Sequence, residues 1–574
     1  MSRNDRYRRQ PHCGQPARLE PETQYYDRGH ASRQSVSKQP GLRYSARFTK
    51  HGMADLRDLK PYRDELTPVS FVERAGTVYA SRPAVVEGPS TYTWAQFRVR
   101  CRRFASALRA AGLHKGDRVA FVALNSEALL LAHFGVLQAG GVLVAINTRL
   151  MPEEVAHIVG HSGSQIVFFS SDLASALTQI PSAVRRIEIG PEFEMFLDSG
   201  SEEPVESWLD SEDELCAIDY TSGTTGRPKG VMYHHRGAFL NSLAMVVENR
   251  LTADSSHLWS LPMFHCNGWS HTWAMAAAGS KSVCVPRIDP PEIWQLLDDE
   301  AVTHFNVAPT VLIMLAHDPA AHRLDHRVRV CTGGAPPSPT LIAQMASFNI
   351  ELVHLYGLTE TYGPLTLNVA PVDFGTWSLS RQAEYRSRQG FAHVAAGSVQ
   401  VVDEQMHKVT PDGVSLGEVV ARGNTLMRGY YEESDATNEV FRGGWLHTGD
   451  VGVMHPDGSI ELRDRKKDII ISGGENISTI EVEQAVASHP AVMEAAVIAI
   501  PDEKWGEVPK AFVVLKPGAL ASERDIIEHV RGLLAHFKAP KSVAFGELPK
   551  TSTGKIQKFV LRDREWAGRE RRIN

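Results

Sequence analysis

The run Tyr220-Thr221-Ser222-Gly223-Thr224-Thr225-Gly226-Arg227-Pro228-Lys229-Gly230 holds the densest chemistry in the chain. It follows an apolar stretch at 215–218, a plausible strand end, and leads into Val231-Met232. Interleaved hydroxyls and glycines let backbone N–H and side-chain O–H groups converge on phosphate oxygens, and Lys229 adds a cation. The usual nucleotide-cradling loop needs Gly-Lys-Ser/Thr after four intervening residues, and Pro228 stands where its second glycine would be. A flexible surface loop is the bland alternative, but three Thr, one Ser and a Lys in this order favour a phosphate.

The segment resembles the phosphate-loop signature of the adenylate-forming superfamily, which includes acyl-CoA synthetases, luciferases and the adenylation domains of peptide synthetases. Four more motifs follow in that superfamily's order out to residue 558, and the resemblance reaches upstream to about residue 65. Tyr356-Gly357-Leu358-Thr359-Glu360 resembles its adenine and magnesium segment. An aromatic face can stack on adenine, the Thr hydroxyl can meet a phosphate, and a Glu carboxylate is a hard oxygen ligand for Mg2+. Taken alone, these five residues read equally as a helix start capped by Thr359. His447-Thr448-Gly449-Asp450 resembles the ribose segment, whose Asp accepts from both ribose hydroxyls; by itself it reads as a type I turn. Arg465 matches the arginine that reaches ribose or phosphate, against a solvated charge run as the alternative, and Lys467 stands at the superfamily's hinge.

Pro549-Lys550-Thr551-Ser552-Thr553-Gly554-Lys555-Ile556-Gln557-Lys558 resembles the final signature, which makes Lys555 the reacting lysine. Attack of a carboxylate on an α-phosphate brings two anions together, and a cation bridging both makes that encounter favourable. In Gly473-Gly474-Glu475-Asn476-Ile477-Ser478 the glycines permit close approach, and the resemblance implies that they line a thiol tunnel. Ser478 with Glu481 reads as a capping box without any functional role. Pro262-Met263-Phe264-His265-Cys266-Asn267-Gly268-Trp269 lies where the superfamily forms its acyl pocket wall, with His265 and Trp269 as gate or floor. A buried aromatic cluster is the alternative, Asn267-Gly268 also reads as a turn, and Cys266 has no partner that would make it a nucleophile.

The resemblance implies an AMP-forming acyl-CoA synthetase, an acid–thiol ligase. A small-molecule carboxylic acid, a short- to medium-chain fatty acid or a relative such as a methylthioalkanoate, reacts with ATP and Mg2+ to give acyl-AMP, and the acyl group passes to coenzyme A. Thr224, Glu360 and Lys555 are then the candidate catalytic residues, with Glu360 holding the metal. Thr221, Ser222, Gly223, Thr225, Gly226, Lys229, Tyr356, Thr359, Asp450, Arg465, Gly473 and Gly474 are the candidate nucleotide and CoA contacts. His265 and Trp269 are the acyl pocket candidates, and Lys467 the hinge. Two rivals stay open: the same adenylation with another acceptor or acid (a carrier protein, an amine, nitrite), and a non-catalytic sensor of nucleotide or acyl group. Such sensors tend to lose the reacting lysine or the metal carboxylate, and Lys555 and Glu360 are both present.

The elements that must position these residues follow from composition and pattern. At 574 residues the chain exceeds the size at which a single core stops growing, so at least two domains are expected. A hydrophobic content of 43%, 22% charged residues and a net charge of -6 give no electrostatic case for nucleic acid. Residues 1–52 nevertheless hold eleven Lys and Arg against four Asp and Glu, lack apolar periodicity and lack a secretory core, and read as a disordered basic extension. A start-codon artefact is open, because Met53 opens the first stretch that reads as folded. The longest apolar stretch, 128–146, contains His133 and Gln138 and is broken by Gly140-Gly141, so it reads as helix, glycine stop and strand rather than a membrane span. Six scattered cysteines fit a reduced, cytoplasmic location. Some members of the superfamily are dimers, which leaves a homodimer open, and nothing in the sequence identifies an interface.

From Met53 to about Arg463, apolar Val/Ile/Ala runs alternate with amphipathic stretches, as parallel strands joined by helices require; the unit 119–123, a helix from Ser126 and 142–146 is one example. Near 411–413 and 456–458 the turns tighten into a small β-rich subdomain. After the charged run 463–468 a strand, a glycine pair, a helix at 480–487 and a strand at 495–500 begin a second pattern. The expected fold is α/β: a large adenylating domain over 53–465 and a smaller, mobile α+β domain over 466–574, divided in a solvated junction.

Overall fold

Short β-branched runs separated by a capped helix build the first layer. Strand β1 (Arg118–Val122), helix α1 (Glu127–Gln138) and strand β2 (Val142–Ala145) form the expected unit, with β1 and β2 parallel. Ser126 caps α1 by accepting from the Leu129 N–H at 3.3 Å, and Gly140, at φ 82°, takes the left-handed conformation that ends it. Every α1 residue from Glu127 to Leu137 is buried, which is why the stretch is apolar on all sides. No described helix is long and apolar enough to cross a membrane. The computed structural model describes residues 63–221, 228–334, 337, 339–465, 468–472, 475–502, 504–550 and 556–567; the N-terminal extension lies outside them.

The first sheet has seven strands, among them β3 (Leu215–Thr221), parallel to β2, and β4 (Lys229–His234), antiparallel to β3. The second sheet has nine strands. Its centre is parallel, with β5 (Ser256–Trp259), β6 (His304–Val307), β7 (Val328–Thr332) and β8 (Ile350–Leu358), and β9 (Gly363–Leu367) turns back antiparallel against β8. Their shared core is rich in aromatic rings, including Phe104, Phe121, Phe168, Trp259 and Trp273. Beneath the sequence motifs the two sheets are joined by Tyr233 on β4 and Tyr362 just before β9, stacked at 4.0 Å between ring centroids. Stacked aromatic pairs of this kind add stabilisation beyond the area they bury.

The expected β-rich region is a four-stranded antiparallel sheet containing β10 (Gly417–Arg422), β11 (Leu446–Met454) and β12 (Ile460–Arg465). A fourth sheet follows, with β13 (Ile470–Ser472), helix α2 (Thr479–Ala487), the antiparallel pair β14 (Val492–Asp502) and β15 (Gly506–Leu515), and helix α3 (Lys558–Glu565). The α/β class and the succession of a larger and a smaller α/β part are as expected. The strand expected at 495–500 is longer at both ends.

Two details of the junction differ from expectation. The charged run is not solvated throughout: Asp464 and Asp468 are buried, Asp464 accepting from the Thr479 N–H at 2.6 Å and Asp468 pairing with Arg562 of α3. Lys558 is also drawn in, its ammonium 2.8 Å from Glu483 and 2.6 Å from the Thr479 hydroxyl. The capping box at α2 is half formed. Ser478 accepts from the Glu481 N–H at 3.2 Å, but the Glu481 carboxylate turns to the Lys538 ammonium at 2.7 Å, a charge-assisted bond stronger than one to a neutral N–H.

Candidate active site

β3 and β4 form an antiparallel pair that flanks, in sequence, the segment expected to hold phosphate. Thr221 and Lys229 are register partners there, so the backbone holds the two ends of the loop side by side. Ser222, Gly223, Thr224, Thr225 and Gly226 lie outside the described residues, as do Lys467, Gly473, Gly474 and Lys555. Lys229 sits over the Tyr430 ring, its ammonium 4.9 Å from the centroid, and lies 3.7 Å from Glu433. The Tyr430 hydroxyl in turn donates to Glu360 Oε1 at 2.7 Å. Burial, with the Glu360 charge beside it, pushes that phenol well above its ordinary range, so it stays a donor. Lys229 and Glu360 therefore meet through Tyr430, a residue outside every motif.

Tyr356 and Glu360 lie at the C-terminal end of β8 and in the 3-10 turn Thr359–Thr361 after it, so the segment is a strand end and not the capped α-helix that is its alternative reading. The Tyr356 hydroxyl donates to Asp450 Oδ2 at 2.7 Å. Asp450 lies in β11 with Arg465 of β12 as its register partner. The His447–Asp450 segment is thus part of a strand and not an isolated turn. Glu418 of β10 braces it, accepting from the Gly449 N–H at 3.2 Å and contacting the His447 ring at 3.2 Å. Thr359 is held from below: its carbonyl accepts from the Tyr233 hydroxyl at 2.6 Å, and its hydroxyl lies 3.6 Å from Cys266 Sγ.

The segment from Cys266 to Ser270 has a conformation that the sequence announces only in its middle, where Asn267-Gly268 reads as a turn. Cys266, Asn267, Gly268, Trp269 and Ser270 all have positive φ, between 41° and 60°, forming a left-handed turn. Such geometry costs roughly 1–2 kcal/mol for each non-glycine residue, so the surroundings must impose it. Gly268 lies so close to the Trp259 ring that a Cβ would stand 2.5 Å from it, and Trp269 packs on Gly363 at the start of β9 in the same way. Asn125 fastens the approach, donating to the Trp259 and Leu261 carbonyls and accepting from the Met263 N–H. The segment that carries His265 and Trp269 therefore reaches Thr359 through Cys266 and Gly363 through Trp269. Burial pushes the Cys266 thiol up, which leaves it protonated and no nucleophile.

A family model for the AMP-binding enzymes matches residues 72–431, and one for the AMP-binding enzyme C-terminal domain matches residues 481–555. An acetate–CoA ligase of Humulus lupulus is 42% identical over 538 residues, covering 87% of this chain and 94% of that protein. A 4-hydroxybutyrate–CoA ligase of Metallosphaera sedula is 40% identical with the same coverage. Among solved structures, ATP-bound MatB of Rhodopseudomonas palustris superposes with a TM-score of 0.78 at 28% identity, covering 86% of this chain and 98% of that one. Matches that run through both family models, over a region where Lys229 and Glu360 meet at Tyr430 and Tyr356 meets Asp450, place this chain in the AMP-binding enzyme family, the adenylate-forming superfamily, as an AMP-forming acid–thiol ligase.

Proposed function

We propose that the chain activates a small carboxylic acid, a short- to medium-chain fatty acid or a substituted relative, as its acyl-AMP, and then transfers the acyl group to coenzyme A. The Tyr356–Asp450 hydrogen bond carries this reading: it joins the motif assigned to adenine and the motif assigned to ribose into one surface. The named substrates of the relatives, acetate and 4-hydroxybutyrate, support a small acid.

In this reading the hydroxyls of Thr221, Ser222, Thr224 and Thr225 and the N–H groups of Gly223 and Gly226 hold the triphosphate, with Lys229 supplying charge. Glu360 fits a magnesium ion shared with phosphates, since one oxygen takes the Tyr430 proton donor and the other takes no donor among the described residues; such ions need one or two carboxylates and little else from protein. Magnesium there would neutralise charge on the departing pyrophosphate. Asp450 accepts from the ribose hydroxyls, Arg465 reaches the ribose or phosphate, and Tyr356 both fixes Asp450 and offers its ring to adenine. His265 and Trp269 wall the acid. Lys555 bridges carboxylate and α-phosphate in the first step, and rotation about Lys467, between domains spanning 53–465 and 466–574, brings Gly473-Gly474 forward for the thiol. A cytoplasmic site of action fits five buried free cysteines, although the Arabidopsis thaliana relative named as an acetate/butyrate–CoA ligase is a peroxisomal protein.

The test is a panel of acids of varied length and polarity, with pyrophosphate and AMP measured with and without CoA. Pyrophosphate with small acids, and AMP and thioester only when CoA is added, is the expected result. Pyrophosphate without any CoA-dependent AMP release would transfer the reading to another acceptor, and no pyrophosphate with any acid would end it.

A further inference from the structure

Asp219 is a fully buried carboxylic acid that none of the motifs explains. It lies on β3 two residues before Thr221, and so on the same face of the strand as the residue that opens the phosphate loop. Oδ2 accepts from the Asn267 N–H at 2.9 Å, while Oδ1 has no partner among the described residues. Asn267 is the second residue of the left-handed turn. Its side chain is held too: Nδ2 is 3.1 Å from His133 Nε2, and His133 Nδ1 donates to the Leu129 carbonyl at 2.7 Å, which fixes Nε2 as the acceptor. The far end of the turn is tied by Asn241 Nδ2 to the Ser270 hydroxyl at 2.9 Å. Asp219 is thus the tie that joins the turn to the strand carrying the phosphate loop.

We propose that Asp219 is a positioning residue for the acyl pocket: through the Asn267 N–H it holds the left-handed turn that sets Trp269 against Gly363, and so fixes where the acid sits relative to the triphosphate. This rests on the reading of His265 and Trp269 as the acid's wall. A strained turn needs an external hold to keep its shape, and a hydrogen bond from a neighbouring strand also transmits its register to the loop at Thr221. Burial without a cationic partner holds the Asp219 carboxyl well above its ordinary range, so the group works as a neutral acceptor. A neutral amide of the same shape can do the same work.

The experiment compares Asp219→Asn, Asp219→Ala and Asn267→Ala in the full chain. Asp219→Asn is expected to keep the KM for acid and for ATP within about twofold of wild type, whereas Asp219→Ala raises the KM for the acid about tenfold and leaves that for ATP nearly unchanged. Asn267→Ala, which cuts the His133 tie and puts a residue less tolerant of positive φ into the turn, gives the same pattern at about threefold. Equal changes in both KM values, or none, overturn the proposal. A second readout needs no turnover: alkylation of Cys266 by iodoacetamide, mapped by mass spectrometry, is expected to speed up in Asp219→Ala and Asn267→Ala and not in Asp219→Asn. Wild-type labelling rates in all three overturn the tie. Altered labelling in a protein that activates no acid would leave the tie standing and end the functional reading alone. Should Asp219→Ala fail to fold, Asp219→Leu, which fills the same space without an acceptor, takes its place against Asp219→Asn on both readouts.

Discussion

The Tyr356 hydroxyl donates to Asp450 Oδ2 at 2.7 Å although 94 positions separate the two residues. Tyr356 comes from the end of β8 in the nine-stranded sheet and Asp450 from β11 in the antiparallel sheet, so this bond fastens one sheet to the other at the surface proposed for the nucleotide. A bond to a charged acceptor contributes about 1.5–3 kcal/mol. Tyr356→Phe keeps the ring and removes its bond to Asp450, and is expected to raise the KM for ATP about tenfold with the KM for the acid unchanged. Pyrophosphate release at varied ATP measures it; an unchanged KM for ATP would show that Asp450 needs no such support.

Tyr430 links two groups of opposite charge, its ring beneath the Lys229 ammonium and its hydroxyl on Glu360. Tyr430→Phe retains the cation–π contact and removes the proton donor, leaving both Glu360 oxygens to choose other partners. The magnesium concentration for half-maximal activity is expected to rise about fivefold, while the acid's KM stays constant. A shift in the acid's KM in place of the metal dependence would assign Tyr430 to the acyl side.

What was legible in the sequence and what was not divides along physical lines. Thr221, Lys229, Tyr356, Glu360 and Asp450 stand in contiguous motifs because each motif is one loop or strand end, and local spacing survives into the fold. The β1–α1–β2 unit was legible because Ser126 and Gly140 carry capping chemistry in their own side chains or lack of one. Tyr430, Tyr233, Glu418 and Asp219 have no local pattern; they matter only because sheet register brings them to residues far away in the chain. The turn at Cys266–Ser270 was legible only at Asn267-Gly268; positive φ at Cys266 and Trp269 contradicts local preference and is imposed by contacts with Asp219, Trp259 and Gly363. The charged run at 463–468 misleads in the other direction: its acids look solvated, and only the return of α3 with Lys558 and Arg562 makes their burial affordable.

In the proposed reaction Lys555 is the residue through which the two half-reactions separate. A cation needed to bring carboxylate and α-phosphate together has no such task when a thiol displaces AMP. Lys555→Ala is therefore expected to lower pyrophosphate release at least a hundredfold, while thioester formation from pre-made acyl-AMP stays within about threefold of wild type. Equal loss of both half-reactions would contradict the division of labour assigned to the small domain.

Acid should unfold this protein earlier than its carboxylates alone would dictate. His133, His271, His304, His354 and His393 are each held at about 4 by burial, which disfavours the charged ring. The unfolded chain releases its imidazole protons near 6.5, so between 6.5 and 4 it binds more protons than the folded chain does. Stability from these rings is complete above 6.5 and is lost as the pH falls towards 4, by about 2 kcal/mol for each ring at pH 5. Asp219 and Glu127 act with the opposite sign, because burial raises both and their folded forms keep a proton that the unfolded chain gives up. Burial raises Glu87, Asp464 and Glu483 as well, but it also lowers His234, His235, His257 and His529, so among the described residues nine rings stand against five acids and the histidines dominate. The urea midpoint is expected to fall steeply from pH 7 to pH 5, and His304→Gln, which removes one such ring from β6, to make that fall shallower. A midpoint that stays level or rises over this interval would mean that the buried imidazoles gain their protons without unfolding the chain.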